Sequence, residues 1–168
     1  MKEQLASVGF ILKETTNKLY LNESFLNRYP RIPSDYLDFL LKTEDCANNK
    51  NTAWFNTVSD FNEQNSENSA FAWNEFEIQS LEVFEGDQEE QEVIHTFWNQ
   101  YIPFLLSVEG EYSYFSICVT PDDLGKIFFG AEPEYEEPTL IADSFTAFIE
   151  KVVNKDLETY YLERLGIE

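Results

Sequence analysis

Basic residues are scarce in this sequence. Only 11 of the 168 residues are Lys or Arg, against 32 Asp or Glu, so the formal net charge is −21 at pH 7. The absence of a basic patch and of a glycine-rich phosphate loop disfavours binding to nucleic acids and nucleotides. No apolar run approaches the roughly 20 residues that a membrane-spanning helix needs. The first residues lack the pattern of a secretory signal, so we expect a cytoplasmic protein that contacts no membrane.

Cysteine and histidine are also nearly absent. Cys46 and Cys118 are the two cysteines, and their spacing fits neither a CxxC motif nor a metal site, so we expect two reduced thiols. Zinc sites normally need several His or Cys ligands, and the single histidine, His95, is expected to be an ordinary surface or partly packed imidazole. We therefore expect no catalytic residue, no metal and no cofactor. A pair of carboxylates acting as in glycosidases stays open as an alternative.

Apolar side chains supply the material for a core. They make up 43% of the sequence, and aromatic residues make up 16%. A disordered acidic chain would be poor in aromatic residues, so the negative charge is expected to lie on a folded surface. A length of 168 residues fits one domain, and we predict a single domain over residues 1–168.

Helical patterns are clearest in four segments. Pro33 suits the start of a helix, and Tyr36, Phe39, Leu40 and Thr43 then fall on one face. Acidic residues in the first turn favour a second helix, and Asp143 or Ser144 can cap a third. The predicted helices cover 33–41, 87–100, 144–152 and 156–165. Residues 71–84 show no clean period, and the pattern does not separate strand from helix there.

The remaining patterns indicate an antiparallel sheet. Residues 10–21 resemble a hairpin, whereas 44–52 and 56–70 are rich in turn formers and are expected to be loops, the second with at most one helical turn. In the 111–120 segment, Phe115, Ile117 and Val119 fall on one face of a strand, and Tyr112, Tyr114 and Cys118 fall on the other. The predicted strands are 53–55, 102–106, 111–120, 126–130 and 139–142. We predict an α+β fold in which helices flank an antiparallel sheet.

Four of these segments resemble motifs of the SUKH superfamily, the Smi/Knr-type cell-wall-assembly-regulator domain. The matches occur in the expected order over residues 32–150. They are Ile32-Pro33-x-x-Tyr36-x-x-Phe39-Leu40, Ile102-Pro103-Phe104 with Gly110-Glu111-Tyr112-Ser113-Tyr114-Phe115, Gly125-Lys126-Ile127, and Ile141-Ala142-Asp143-Ser144-Phe145-x-x-Phe148-Ile149. The resemblance implies a non-enzymatic α+β scaffold that binds other proteins. Bacterial members are commonly immunity proteins that neutralise a toxin domain, and fungal members regulate cell-wall synthesis. Because the functional surface of the family is variable, the resemblance transfers no binding residue.

Negative charge is concentrated in the middle of the chain. Residues 51–150 hold 21 acidic residues and one basic residue, whereas the flanking segments are nearly balanced. Two acidic segments stand out as candidates for binding a basic partner. The first contains Glu85, Asp87, Glu89, Glu90 and Glu92. The second contains Glu132, Glu134, Glu136 and Glu137 around Tyr135, which we expect to be an exposed aromatic anchor. Simple solvation of the protein surface is the alternative explanation for both segments.

Two functions follow from these observations. The first is an immunity protein that neutralises a basic toxin domain, such as a nuclease, whose cleft for a polyanion is positively charged. The alternative is a regulatory adaptor that binds an endogenous partner. The sequence does not define the oligomeric state or the identity of the partner.

Overall fold

The computed structural model describes residues 1–62 and 71–168. In chain order the elements are α1 (Lys2–Ser7), β1 (Phe10–Glu14), α2 (Glu23–Arg28), α3 (Ser34–Leu40), β2 (Thr43–Asn48), β3 (Ala53–Phe55), α4 (Val58–Asn62), α5 (Glu75–Val83), α6 (Gln88–Trp98), β4 (Tyr101–Ser107), β5 (Ser113–Cys118), β6 (Ile127–Ala131), β7 (Thr139–Ala142), α7 (Phe145–Val153) and α8 (Thr159–Arg164). The strands form one sheet in the order β1 to β7, and every neighbouring pair is antiparallel. The predicted α+β fold with a helix-flanked antiparallel sheet is confirmed.

The sheet has helices on both faces. The first face carries the larger core, to which α1, α2, α3, α4, α7 and α8 contribute buried side chains. Its centre is aromatic, because Phe104 contacts Tyr36, Phe145 and Phe148 with ring centroids 5.4–5.6 Å apart. The second face carries a smaller core, in which Phe76 of α5 and Trp98 of α6 pack with Leu106 and Tyr114 of the sheet.

One row of residues on the second face crosses six strands. Ile11, Ala47, Trp54, Leu106, Tyr114 and Gly130 are successive cross-strand partners from β1 to β6. Exposure falls along this row, from 63% at Ile11 to 0% at Leu106 and Tyr114. The α5 and α6 helices thus cover the second face over β4 to β6, and among residues 1–62 and 71–168 they do not extend over Ile11 and Ala47 of β1 and β2.

The four predicted helices and the predicted strands after residue 100 are confirmed, whereas α1 and α2 were not predicted. Ser144 caps α7 by accepting a hydrogen bond from the Ala147 amide at 3.1 Å, and Asp87 caps α6. Phe115 and Ile117 lie in the larger core, whereas Tyr114 lies in the smaller one, as their alternation predicts. The 71–84 segment, which the pattern left undecided, contains α5. Of the predicted 56–70 loop, residues 58–62 form α4, and residues 63–70 lie outside the described part of the chain.

The predictions for the first third of the sheet were wrong in two places. Residues 10–21 do not form a hairpin, because β1 pairs with β2 and Leu19 and Leu21 lie in a loop that packs against the core. The 44–52 segment is not all loop, since Thr43–Asn48 is a strand and Thr43 starts that strand instead of extending the α3 stripe. Pairing with β1 supplies the backbone hydrogen bonds that the turn-rich composition does not foretell.

Candidate functional site

The α5 and α6 helices form an antiparallel pair over the second face of the sheet. A four-residue connection, 84–87, joins them. His95 Nδ1 of α6 lies 3.1 Å from Glu77 Oε1 of α5, so the end of α6 lies beside the start of α5. The connection is therefore at the far end of the pair, and we call residues 82–90 the helical tip.

A charged contact ties this helix pair to the rest of the protein. Glu77 is only 4% exposed, and Arg28 of α2 donates two hydrogen bonds to its carboxylate at 2.8 and 3.0 Å. Arg28 Nε also donates to the Asn99 side chain at 2.8 Å, just beyond the end of α6. Burial lowers and the Glu77 contact raises the pKa of Arg28, with a net rise, so this guanidinium stays charged. Glu77 is thus part of the scaffold and not of the free acidic surface.

The helical tip is acidic and exposed throughout. Every residue from 82 to 90 is exposed, and so is Glu92. Asp87 accepts a hydrogen bond from the Glu90 amide at 3.2 Å as the N-cap of α6. Within residues 1–62 and 71–168, the salt bridges involve no carboxylate of this segment. The predicted residues Glu85, Asp87, Glu89, Glu90 and Glu92 therefore share one exposed, unneutralised surface.

Two apolar side chains lie among these carboxylates. Val83 is 77% exposed and Phe84 is 40% exposed, directly before Glu85. Val93 on α6 is exposed as well. Sequence reasoning did not single out Val83 and Phe84, because they end the segment with no clean period. Their position next to five acidic residues was the signal in the sequence, because such neighbours do not form a core over an apolar pair.

The second acidic segment has a different character. Tyr135 is 5% exposed, so its predicted role as an exposed anchor is wrong. Its ring stacks on Phe76 with centroids 4.6 Å apart, and its hydroxyl donates to Gln79 Oε1 at 3.0 Å. Glu136 accepts a hydrogen bond from the indole of Trp98 at 2.8 Å and is half-buried. Both residues fix the β6–β7 connection against the helix pair.

The two acidic segments lie at opposite ends of that pair. Tyr135 and Glu136 contact the start of α5 and the end of α6, whereas the tip is one α6 length away, about 16 Å at 1.5 Å per residue. Three carboxylates of the second segment remain exposed, namely those of Glu132, Glu134 and Glu137. Both segments therefore belong to the helical layer over the second face, but they lie at its opposite ends.

The two cysteines lack the features of a reactive thiol. Cys46 and Cys118 are free and buried, and burial raises the pKa of the Cys46 thiol to about 12, which disfavours a nucleophilic thiolate. In residues 1–62 and 71–168, no group of three or more His, Cys, Asp or Glu side chains is placed to hold a metal ion. None of the helices in these ranges is both long enough and apolar enough to cross a membrane. The layer that α5 and α6 form over the second sheet face presents a charged, partly apolar surface.

The architecture defines an α+β domain with a seven-stranded antiparallel sheet between two helical layers. The model of the SMI1 / KNR4 family (SUKH-1) matches residues 23–151, and the chain belongs to this family. This agrees with the resemblance found in the sequence motifs. No curated protein matches the chain, and no solved structure matches it.

Proposed function

We propose that this chain is an immunity protein that neutralises a basic toxin domain, such as a nuclease, by binding it through the helical tip. The family includes immunity proteins and Smi1/Knr4 regulators, and binding to another protein is common to both. The observation that carries the proposal is the tip itself, in which five exposed carboxylates and two exposed apolar side chains lie within nine residues.

Asp87, Glu89 and Glu90 suit the start of α6, but no salt bridge in residues 1–62 and 71–168 neutralises the charges of the tip. Glu82, Glu85, Asp87, Glu89 and Glu90 lie within nine residues, and their mutual repulsion destabilises the folded state. A positively charged cleft would relieve this repulsion. Complementary potentials raise association rates toward about 10⁸–10⁹ M⁻¹s⁻¹ at low salt, against about 10⁵–10⁶ without steering. Fast capture suits the neutralisation of a harmful enzyme.

The apolar pair supplies the other half of an interface. Binding energy in protein complexes concentrates in a few apolar or aromatic side chains surrounded by polar ones. Phe84 and Val83 fit this description in place of Tyr135, which is buried. The exposed carboxylates of Glu132, Glu134 and Glu137 extend the acidic surface along the same layer.

The test uses purified basic toxin domains encoded beside this gene and a variant, called the tip variant, that neutralises the five acids predicted from the sequence, four in the tip and Glu92 just beyond it. The changes are Glu85→Gln, Asp87→Asn, Glu89→Gln, Glu90→Gln and Glu92→Gln. A matched control neutralises five exposed acids on elements of the first face, namely Glu3, Asp38, Glu150, Glu158 and Glu163. The tip variant is expected to lose association rate by about tenfold or more at low salt, and the control much less.

A second variant separates charge from apolar contact. Val83→Ser with Phe84→Ser should leave the association rate nearly unchanged and raise the dissociation rate, because apolar anchors act after encounter. Equal effects of the tip and control charge sets would contradict the tip as the interface. If no neighbouring toxin domain binds, the adaptor function with an endogenous partner replaces the immunity function.

A further inference from the structure

The β1 to β3 part of the second sheet face, beyond the α5 and α6 helices, has an apolar row and a groove. Over β1 to β3 the helix pair is absent, and Ile11, Ala47 and Trp54 form an apolar row of cross-strand partners. A groove of about 390 Å³ lies over β2 and β3. Trp54 and Ala47 line it, together with Glu44, Asp45, Thr57 and Asp60. Trp54 and three acidic residues thus line the same groove.

The charges at this groove do not balance. Lys13 pairs with Glu44 at 2.6 Å and is also the cross-strand partner of Asp45. Asp60 accepts hydrogen bonds from the Thr57 amide and hydroxyl, both at 2.7 Å and both through Oδ2, so neither of these bonds uses its other oxygen. One lysine against three carboxylates leaves a net charge of −2, from +1 and −3.

A tryptophan together with a net negative charge favours an arginine side chain. A guanidinium group is planar, stacks on an indole and donates several hydrogen bonds in a plane, so it can contact a ring and a carboxylate together. A lysine ammonium makes the charge contact but lacks the planar stacking. A phosphate or nucleic acid would be repelled by the three carboxylates. The groove is also wider than a single metal ion requires, and the described residues supply no metal-binding cluster.

We propose that this groove receives an arginine side chain of the basic partner, stacked on Trp54 and paired with Asp45. The inference rests on the proposed function for the identity of the partner. The groove and the helix pair lie on the same sheet face, and aromatic contacts connect them. Trp54 contacts Phe71 at 5.5 Å between ring centroids, and Phe71 contacts Phe76 of α5 at the same distance. One partner can therefore cover both the groove and the acidic layer.

The first experiment needs no partner. Acetyl-Gly-Arg-Gly-amide is titrated into the isotopically labelled protein, and the indole Nε1–H signal of Trp54 is followed by NMR, assigned through its loss in Trp54→Phe. The matched probes carry citrulline, which keeps the shape without the charge, or lysine. We expect saturable shifts of the Trp54 signal with arginine, weaker binding with lysine and none with citrulline, while the Trp73 and Trp98 signals stay unchanged.

Variants decide between this groove and general attraction to an acidic protein. Asp45→Asn keeps the side-chain shape at an exposed position and should weaken arginine-peptide binding about threefold to fivefold, the range of an exposed ion pair near 1 kcal/mol. Glu89→Gln with Glu90→Gln, at the tip, should leave it unchanged. Equal loss in both variants, or equal shifts with citrulline, would overturn the inference.

The two proposals fail separately. If the tip variant weakens toxin binding but the arginine peptide does not perturb Trp54, the groove inference falls and the immunity function stands. If the peptide binds at Trp54 but no toxin domain binds the protein, the groove stands and its partner is to be sought elsewhere. In a complex, Asp45→Asn should weaken binding additively with the tip variant, because the two sites are separate.

Discussion

Gly130 shows at the scale of one residue how the second sheet face is built. It is the cross-strand partner of Tyr114, and a Cβ atom at position 130 would lie 2.4 Å from Cζ of that ring. The Tyr114 hydroxyl donates to the Tyr135 carbonyl at 2.5 Å, which holds the ring in place. We predict that Gly130→Ala lowers the free energy of unfolding by about 1–3 kcal/mol, because the added methyl overpacks this contact.

Urea denaturation measures this loss, and a double-mutant cycle supplies its control. In a Tyr114→Leu background the ring atoms nearest to the new methyl are gone, so Gly130→Ala should cost much less there. A cost that is the same in both backgrounds would show that the glycine serves backbone conformation and not the Tyr114 ring. The Gly130 φ angle is outside the left-handed region, which favours the steric explanation.

At the scale of an element, α6 presents acids that also serve the helix. Asp87 caps its first turn, and Glu89 and Glu90 lie where the positive end of the helix dipole favours negative charge. We predict that Asp87→Asn keeps the cap and leaves the free energy of unfolding within about 0.5 kcal/mol, whereas Asp87→Ala lowers it by about 1 kcal/mol. Thermal unfolding followed by circular dichroism compares the two. An asparagine variant as unstable as the alanine variant would mean that the charge, and not the hydrogen bond, stabilises the helix start.

The same scale shows what the sequence pattern reveals. The α7 helix and the β5 and β6 strands were predicted correctly, because a serine cap precedes the helix and Pro121 and Gly125 mark a turn between the strands. The α5 helix was left undecided because Glu77 and Ser80 lie on its buried side with Phe76 and break the apolar period. Contacts with Arg28 and His95, both outside α5, make a buried Glu77 acceptable.

The site followed the same rule. The tip acids are exposed, as their charge predicts, and their role in binding stays a prediction. Tyr135 was misjudged, since its loop is polar in sequence and its burial depends on Phe76 in the segment that was left undecided. The β1–β2 pairing was missed for a similar reason, because Cys46 and Asn48 are buried by contacts with distant parts of the chain. Asn48 donates to the Leu165 carbonyl at 3.1 Å, 117 residues away.

For the molecule as a whole, the uneven charge should set how stability responds to salt. Residues 51–150 carry 21 acids against Lys126, and that lysine already pairs with Asp123 at 2.6 Å. Salt screens repulsion between exposed charges over a Debye length of about 10 Å at 0.1 M. We therefore predict that the melting temperature rises between 20 and 300 mM NaCl by at least about 2 °C, the shift that about 1 kcal/mol produces in a domain of this size.

Comparing the five-acid tip variant with its first-face control shows which acids cause the repulsion. Neutralising the tip should raise the melting temperature at 20 mM NaCl and flatten its salt dependence, because the removed charges have no salt bridge to lose within residues 1–62 and 71–168. The control removes the same charge from elements that lie nearer the basic residues of the flanking segments, so it should gain less. Melting temperatures from differential scanning calorimetry at both salt concentrations measure the difference. A tip variant that is less stable than the control at low salt would show that these acids stabilise the fold, and that their charge needs no partner to explain it.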